Sequence, residues 1–424
     1  MIKTINYKNQ NSLNQIKKFL AKRREEENKN YKIVSQILQN IKKNRFKALR
    51  RYEIRFSKNK NIKINKKDIN KKIKKLDSKV KKAIDYAYKR IKKFHLLQIR
   101  KIKNLKYVDK LKNKLEYKYL PIESVGIYVP GNLPSTLLMN AIPAKLAKVK
   151  KIILATPKVN GELNEGVLYA AKKVGVNEIY SMGGAQAIAS LAYIQKVNKI
   201  VGPGNKFVAE AKRQLSGKLI GTESMYAGAS EICIIADRYT NINQIITSMV
   251  SQAEHDKESQ CILVTKDKKN NSKIKKGITK LLKDLPRKKI ASKSLKKNGL
   301  IINVKNDKQA IDVTNEIAPE HLEINVKNFK KFENKIVNAG SVCNGKFTPM
   351  SVSDYTVGTN HVLPTAGTSK FSSGLNVNEF LKKTSIVTLS KLGVEKIGNH
   401  AITLSEFEQL NGHTQSIKSR IRRN

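Results

Sequence analysis

The pattern of apolar and polar positions changes character near Val125. Before this point, apolar residues such as Ile73, Leu76 and Val80 recur at helical spacings in a very basic background. That spacing predicts long amphipathic helices that pack on a body or on a partner chain. After it, short apolar runs alternate with helix-like segments, which predicts βαβ units and parallel sheets. The pattern is therefore typical of an α/β protein with a long helical N-terminal arm.

The alternating part divides into two arrays of predicted elements. In the first, strands are expected at 125–129, 151–155, 178–181 and 199–201, and helices at 135–149, 164–174, 185–194 and 205–215. In the second, strands are expected at 232–236, 261–265 and 300–304, with a helix that carries Gln252 and His255, a helical insert at 266–298 and a helix at 308–317. Because 424 residues exceed one simple core, we predict several domains. They are a helical arm at 1–124, Rossmann-like domains at 125–231 and 232–375, and a small helical C-terminal domain at 376–424.

Glycine-containing turns follow three strands of the first array: YVPGN at 128–132, GGAQ at 183–186 and GPGN at 202–205. Glycine lets backbone amides approach a ligand closely, and a helix that begins just after it offers free N–H groups to phosphate. None of the three is a GxGxxG fingerprint, and each alone fits an ordinary structural turn. Together, at the carboxyl ends of parallel strands, they favour a nucleotide cleft and a structural role about equally.

Two polar motifs are candidates for chemistry. Gln252 and His255 stand three apart, so in a helix they would share one face and form half of a zinc or manganese site. A solvated surface pair is the more common outcome of that spacing. In APEHLEI, Glu320 and His321 are adjacent after Pro319, which predicts a loop that presents two acid–base groups. A surface Glu and His pair is again the alternative.

Two further polar stretches contain histidines. Asp354 and His361 lie in a loop rich in Gly and Thr, of the kind that lines sites. Glu408 and His413 flank Gly412, which is expected to stop a helix, and the pair would cap a site from a separate small domain. Histidine serves both metal ligation and proton transfer near neutral pH. Its selective placement here indicates a functional site.

Charge is the most extreme property of the composition. With 85 Lys and Arg against 33 Asp and Glu, the formal net charge is +52, which by itself predicts a nucleic acid or another anionic partner. Lysine supplies most of it and is spread along the whole chain, whereas dedicated binders cluster arginine with aromatic residues. We therefore interpret the charge as compositional drift, without a specific nucleic-acid partner.

The cellular compartment follows from other features. No apolar run of about 18 residues occurs, which argues against a membrane span, and MIKTINYKNQ lacks the apolar block of an export signal. The three cysteines, Cys233, Cys261 and Cys343, are isolated in apolar surroundings and are expected to be reduced core residues. We therefore expect a cytoplasmic protein.

Taken together, the motifs resemble those of the histidinol dehydrogenase family. They occur in the family's order: YVPG, GGAQAIA, GPGN-FV-EAKRQ, AG-SE, SQAEH, PEHL, DY--GTNHVLPT and a final E----H. The resemblance covers Val125 to the C-terminus, and the helical arm fits in kind. It implies oxidation of L-histidinol through histidinal to L-histidine, with two NAD+ reduced at one site.

The resemblance also implies the site residues. Zinc would be held by Gln252, His255, Asp354 and His413. His321 would take the alcohol proton, and Glu320 would activate water. Substrate would be contacted by the four zinc ligands and by Ser230, His321, His361 and Glu408. NAD would be contacted by Tyr128, Gln186 and Asn205. Family members are homodimers in which the C-terminal Glu and His reach the neighbouring subunit's site.

The chain departs from the family's pattern at several loops. After Tyr128 the loop is shorter and has Asn132 in place of a second Gly, and the connection at 193–200 is shorter, with Asn198 in place of Asp. Both changes flank the expected cofactor side, so NAD affinity is the property that they would change most. Three other positions also depart from the pattern: Tyr226 and Ala229 replace the two prolines of the family's PAGPSE stretch, and Ser353 replaces a glycine. Two alternatives stay open: a basic nucleic-acid-binding protein on a decayed enzyme scaffold, and a relative that oxidises another amino alcohol.

Overall fold

A computed structural model describes residues 2–26, 30–225 and 228–421, so Tyr226 lies outside the described residues. The chain forms two compact units. One comprises Met1–Leu97 and Ile122–Phe380, and the other comprises Gln98–Pro121 and Leu381–Asn424. Within the described ranges, no helix combines the length and the apolar character that a bilayer crossing requires.

The N-terminal part of the chain is not only helical. Its helices are α1 (Gln10–Glu26), α2 (Tyr31–Ser57), α3 (Lys66–Lys74) and α4 (Ser78–Lys101). Its strands are β1 (Lys3–Asn6), β2 (Leu105–Val108) and β3 (Lys114–Pro121). The basic run expected to be one long helix is divided between α3 and α4, because Asp77 accepts the N–H groups of Lys79 and Val80 and so begins a new helix.

A five-stranded parallel sheet follows the first predicted array closely. Its strands are β4 (Ser124–Tyr128), β5 (Lys151–Ala155), β6 (Glu178–Tyr180), β7 (Lys199–Val201) and β8 (Gly221–Thr222). The helices between them are α5 (Pro134–Leu146), α6 (Glu165–Val174), α7 (Gly184–Ala189), which continues as a π-helical turn at Ser190–Ile194, and α8 (Lys206–Leu215). The strand order β6-β5-β4-β7-β8 is the doubly wound order of Rossmann-like folds.

A six-stranded parallel sheet contains the second array. Its later strands are β9 (Glu231–Ala236), β10 (Gln260–Thr265), β11 (Gly299–Asn303), β12 (His321–Asn325) and β13 (Ser341–Asn344). Its helices are α9 (Ile242–Ala253), α10 (Asn271–Lys283), α11 (Lys288–Asn298), α12 (Asp307–Ile317) and α13 (Met350–Ser353). The order β1-β11-β10-β9-β12-β13 repeats the doubly wound pattern and adds β1 at the edge. The expectation of two Rossmann-like α/β sheets is thus confirmed.

The second unit combines a sheet with helices. Strand β14 (Leu381–Thr388) pairs antiparallel with β3, which pairs antiparallel with β2. The helices are α14 (Lys391–Phe407) and α15 (Asn411–Ile421). The expectation that Gly412 stops a helix was wrong: Gly412 lies inside α15, and the chain breaks at Gln409, whose φ of 59° is left-handed.

Candidate active site

The acid–base pair Glu320 and His321 begins a central, buried strand. His321 is the first residue of β12, directly beside β9, and both side chains are buried. The expectation of a loop pair was therefore wrong for His321, because the chain enters the sheet within two residues of Pro319. The pair also lies at the amino end of its strand, whereas ligands of such sheets were expected at the carboxyl ends.

Glu231, the first residue of β9, holds this pair in place. The Glu320 carboxylate accepts the Glu231 N–H at 2.7 Å, and the Glu231 carboxylate accepts the Glu320 N–H at 3.3 Å. The second Glu231 oxygen accepts the Ala366 N–H at 2.8 Å. His321 Nδ1 lies 3.1 Å from the Glu231 carbonyl oxygen, which can only accept, so Nδ1 carries a proton. His321 Nε2 is therefore the atom left for proton transfer.

Asp354 lies next to that nitrogen, and His361 contacts Asp354. Asp354 caps α13, and its Oδ1 lies 3.3 Å from His321 Nε2. His361 Nδ1 donates to the Asp354 carbonyl oxygen at 2.6 Å. The structure thus brings together four of the predicted residues, Glu320, His321, Asp354 and His361, although they come from two separate stretches of sequence.

Burial and charge set the protonation of the cluster. Burial alone would lower the pKa of His321, but the carboxylates of Glu320 and Asp354 outweigh it and raise that pKa well above its usual value. Burial raises the pKa of Glu320 and lowers the pKa of His361. Burial would also raise the pKa of Asp354, but the contact with the His321 ring and the positive charge that this ring can carry hold the pKa below its ordinary value. The two carboxylates therefore make His321 a stronger proton acceptor than an ordinary imidazole.

Gln252 and His255 adjoin this cluster from α9, which packs against α13. Gln252 is buried near the end of α9, but His255 lies two residues beyond it, so the expected shared helical face was wrong. A turn brings the two together instead, since the His255 N–H donates to the Gln252 carbonyl oxygen at 3.2 Å. Desolvation lowers the pKa of His255, although the residue is exposed in the single chain, and the charge of Asp354 opposes that shift.

Several buried polar atoms of the cluster lack hydrogen-bond partners among the described residues. They are Gln252 Oε1 and Nε2, together with Asp354 Oδ1 and His321 Nε2, which face each other at 3.3 Å without hydrogen-bond geometry. Buried polar atoms are normally paired, so this concentration indicates a place for a ligand or an ion. Among the described residues, no three His, Cys, Asp or Glu side chains gather closely enough to hold a metal by themselves. The predicted set differs from such a group because it includes an amide and His413 of the second unit. The predicted ligands offer oxygen and nitrogen donors, which are atoms that zinc binds. Two of these donors, Gln252 Oε1 and Asp354 Oδ1, are buried oxygens without a hydrogen bond among the described residues.

The remaining predicted substrate residues are Ser230, Glu408 and His413. Ser230 directly precedes β9, is half-buried, and accepts the Gln260 N–H through its backbone oxygen at 2.9 Å. Glu408 caps the end of α14, and His413 lies in the first turn of α15. Both are exposed and belong to the second unit.

The candidate cofactor residues lie at the carboxyl ends of the five-stranded sheet. Tyr128 ends β4, and its hydroxyl accepts the Gly184 N–H at 3.4 Å, near the start of α7. Asn205 caps α8 by accepting the N–H groups of Phe207 and Val208. Gly202, with φ of 112°, passes so close to Tyr128 that an added Cβ would lie 2.1 Å from its carbonyl oxygen. The turns after β4, β6 and β7 therefore form one packed edge.

The side chain of Glu53, on α2, binds the turn after β6 at this edge. Its buried carboxylate accepts the Gly183 N–H at 3.0 Å and a proton of Gln186 Nε2 at 2.9 Å. Because a carboxylate only accepts, the Gln186 amide must turn its nitrogen inward. Burial raises the pKa of Glu53, and these bonds oppose the shift.

Sequence reasoning missed several residues that support the site. Glu231 and Glu53 are two of them, and a third is Glu323, which accepts the Met350 N–H at 2.7 Å and so holds the start of α13. One signal was present for Glu231 and Glu323: a carboxylate next to or within an apolar strand needs buried partners. Their partners are distant in sequence and could not be named from it.

A buried acid–base pair and an unpartnered donor set on a doubly wound α/β scaffold are the features of an enzyme site. The model of the histidinol dehydrogenase family matches residues 20–421. The histidinol dehydrogenase of Pelagibacter ubique (strain HTCC1062) is 50% identical over 430 residues, which cover 100% of each chain. That of Acinetobacter baylyi (strain ATCC 33305 / BD413 / ADP1) is 42% identical over 352 residues, 81% of each chain.

A solved structure agrees with these sequence relatives. The crystal structure of histidinol dehydrogenase from Elizabethkingia anophelis matches with a TM-score of 0.89 and 33% identity, covering 99% of this chain and 98% of that one. The chain therefore belongs to the histidinol dehydrogenase family and is an oxidoreductase.

Proposed function

We propose that the protein oxidises L-histidinol through L-histidinal to L-histidine, the last two steps of histidine biosynthesis, and reduces two NAD+. The observation that carries the proposal is the buried cluster of Glu320, His321 and Asp354, together with the buried, unpartnered amide of Gln252 on α9, the helix that packs against α13. Two oxidations need a proton acceptor twice and water once. An adjacent carboxylate and imidazole supply those functions.

In the first oxidation, His321 Nε2 takes the hydroxyl proton while the carbinol carbon gives a hydride to NAD+, and the aldehyde forms. Glu320 then takes a proton from water as the water oxygen bonds to the aldehyde carbon, and His321 returns its proton to the aldehyde oxygen. This step yields the hydrate and leaves His321 neutral. The second hydride leaves this carbon for another NAD+ as His321 accepts one hydroxyl proton, which gives the carboxylic acid. The acid loses its remaining proton to solvent and becomes the carboxylate, and His321 and Glu320 release their protons to solvent before the next turnover. Each NAD+ takes two electrons, so the product has lost four.

We propose zinc as the resident metal, held by Gln252, His255, Asp354 and His413. When bound, zinc would supply a Lewis-acidic centre that orients the imidazole and amine of the substrate. The lowered pKa of His255 keeps its imidazole neutral, as a metal ligand must be. Ser230, His361 and Glu408 would complete the substrate contacts.

We propose NAD as the cofactor on the side of Tyr128, Gln186 and Asn205. Glu53 orients Gln186 with its carbonyl oxygen away from the buried carboxylate, so Gln186 offers an acceptor to a donor on the cofactor. The shortened connection at 193–200 is anchored despite its departure, because Asn198 accepts the N–H and the hydroxyl of Ser124 at 3.2 and 2.6 Å. This anchoring supports retention of the cofactor edge.

We propose a homodimer in which Glu408 and His413 of one copy complete the site of the other. The second unit exposes large apolar side chains that a second copy would cover: Leu105, Tyr107, Val108, Val387, Leu404 and Phe407. Phe407 is 86% exposed, which is unusual for a phenylalanine of a monomer. A cytoplasmic setting suits the free, buried cysteines, and we propose no specific nucleic-acid partner.

The test is NADH formation by purified protein with L-histidinol and NAD+, before and after chelation and zinc add-back. Two NADH for each histidinol, lost on chelation and restored by zinc, are expected. No turnover by folded, zinc-loaded dimer would overturn the proposal. Turnover of another amino alcohol with much higher kcat/KM would reassign the substrate.

A further inference from the structure

His361 has both ring nitrogens engaged by the protein. Nδ1 donates to the Asp354 carbonyl oxygen at 2.6 Å, so the proton of the neutral ring lies on Nδ1. Nε2 must then accept, and it lies 3.1 Å from Thr136 Oγ1. The Thr136 hydroxyl is therefore the donor that satisfies His361, and this pair fixes both the tautomer and the plane of the ring.

Thr136 is itself held rigidly. It lies in the first turn of α5, directly after the glycine turn of the candidate cofactor side, and only 2% of its surface is exposed. Its carbonyl oxygen accepts a proton of the Asn140 side chain at 2.7 Å. A buried hydroxyl on a helix that cannot shift is suited to orient a partner.

The residue before His361 is fastened to the same helix. Asn360 Nδ2 donates to the Met139 carbonyl oxygen of α5 at 2.6 Å and lies 3.3 Å from His95 Nε2 of α4. His95 is buried, and its Nδ1 donates to the Ile91 carbonyl oxygen at 2.9 Å, so its Nε2 accepts from Asn360. The segment 360–361 is thus docked on α5 by two side-chain bonds, of which the Thr136 bond is the one that reaches the imidazole.

We propose that Thr136 is a positioning residue for substrate recognition: its hydroxyl holds the His361 imidazole in the tautomer and orientation that meet L-histidinol. This inference rests on the proposed function, in which His361 contacts substrate. Without the hydroxyl, Nε2 faces a methyl group, and the ring keeps only the bond from Nδ1 to the Asp354 carbonyl oxygen, about which it can turn. Because the contact persists from substrate binding to the transition state, its loss raises KM for histidinol and leaves kcat almost unchanged.

The test compares Thr136→Val with Thr136→Ser in steady-state kinetics of zinc-loaded protein. Thr136→Val keeps the shape and removes the hydroxyl, and we expect KM for histidinol to rise about tenfold. KM for NAD+ and kcat should stay within about twofold of wild type. Thr136→Ser keeps the donor and should restore the wild-type KM. The matched control is Thr156→Val, because Thr156 is also buried in the same sheet region and its hydroxyl has no partner among the described residues.

A second readout does not need turnover. Histidine is present six times, so nitrogen NMR of protein with labelled histidine can resolve the His361 ring, identified by its loss in His361→Gln. We expect Nδ1-protonated tautomer signals in wild type and Thr136→Ser, and a shifted Nε2 signal in Thr136→Val. An unchanged Nε2 signal, an unchanged histidinol KM in Thr136→Val, or equal impairment of both Thr136 variants would overturn the inference. Inactive wild type with the expected NMR change would instead overturn the proposed function alone.

Discussion

Glu231 and Glu320 each accept the backbone N–H of the other, at distances of 3.3 and 2.7 Å. The two carboxylates are buried, and these bonds, the Ala366 N–H that Glu231 accepts and the neighbouring His321 offset the cost of their burial. This reciprocal pair of bonds fixes the position of the proposed base Glu320, and Glu231 does so without touching the substrate itself. Glu231 is therefore expected to matter for activity although it lies behind Glu320.

Replacing Glu231 by Gln removes one of its two acceptor oxygens and leaves either the Glu320 or the Ala366 N–H unpaired. An unpaired buried donor costs about 1–3 kcal/mol, and a displaced base lowers kcat on the order of tenfold. Thermal unfolding and kcat for histidinol measure both effects. Glu333→Gln, at an exposed carboxylate, is the matched control. Wild-type kcat in Glu231→Gln would show that the reciprocal pair has no part in positioning.

Gln252→Met tests whether the amide is kept for a metal. Its two buried polar atoms lack partners among the described residues, so an apolar side chain of similar shape should stabilise metal-free protein by about 1–3 kcal/mol. The same change should reduce zinc content after dialysis. Urea unfolding of chelated protein and metal analysis provide the two measurements. Lower stability together with full zinc content would contradict the assignment of Gln252.

The raised pKa of Glu320 predicts the acidic limb of the pH profile for histidinal oxidation. Glu320 must be ionised to accept a proton from water, so kcat/KM should fall as pH falls through a midpoint above the ordinary value of 4.5. Measurement uses histidinal as the substrate. Glu320→Gln should lower this rate by on the order of 10² to 10⁴ and abolish the limb, while oxidation of histidinol is affected less. A midpoint at or below the ordinary value would exclude Glu320 as this base.

Glu53 should give stability an unusual pH dependence. Its pKa is raised in the folded state, so the folded protein takes up a proton more readily than the unfolded chain. This contribution is fully present below the ordinary pKa of 4.5 and is lost as pH rises through the raised value. The free energy of unfolding of wild type relative to Glu53→Gln should therefore decline as pH rises from the ordinary value of 4.5 through the raised pKa. Urea titrations measure it, and a difference that grows with pH would refute the prediction.

Shared sites predict complementation between two inactive variants. In a mixed dimer of Glu320→Gln and His413→Ala, one site receives both intact residues and the other receives neither. After random exchange of subunits, half of the dimers are mixed, so about one quarter of wild-type activity should return. Activity is measured before and after mild unfolding and refolding of the mixture. If no activity returns although mixed dimers form, each site takes both residues from one chain.

The local pattern predicted most of the α/β region. The predicted strands at 151–155 and 199–201 have the same first and last residues as β5 and β7. The predicted helix at 205–215 begins one residue before α8 and ends with it. These elements are short, apolar and separated by glycine turns, so their limits are visible locally. The lysine-rich insert was harder: α10 and α11 both lie there, and each buries only a narrow apolar face.

The support of the candidate site depends on distant contacts. Glu231 and Glu320 are 89 residues apart, Glu53 and Gln186 are 133 apart, and Thr136 and His361 are 225 apart. Motifs identified the chemically active member of each pair, because those residue types occur in a recognisable order. Their partners stand in ordinary helical or strand contexts, where one sequence carries no sign of the contact.

Strand β1 has a consequence for the order of synthesis. Asn6 and Asn303, whose side chains bond across β1 and β11, are separated by 297 residues. At a translation rate of about 5–20 residues per second, β1 waits roughly 15–60 s for its partner strand. Throughout that time it is an unsatisfied edge, and its first residue, Lys3, supplies the charge that discourages pairing with another nascent chain. The single lysine of this short strand can therefore protect the ribosome-bound chain from pairing with another chain before β11 is made.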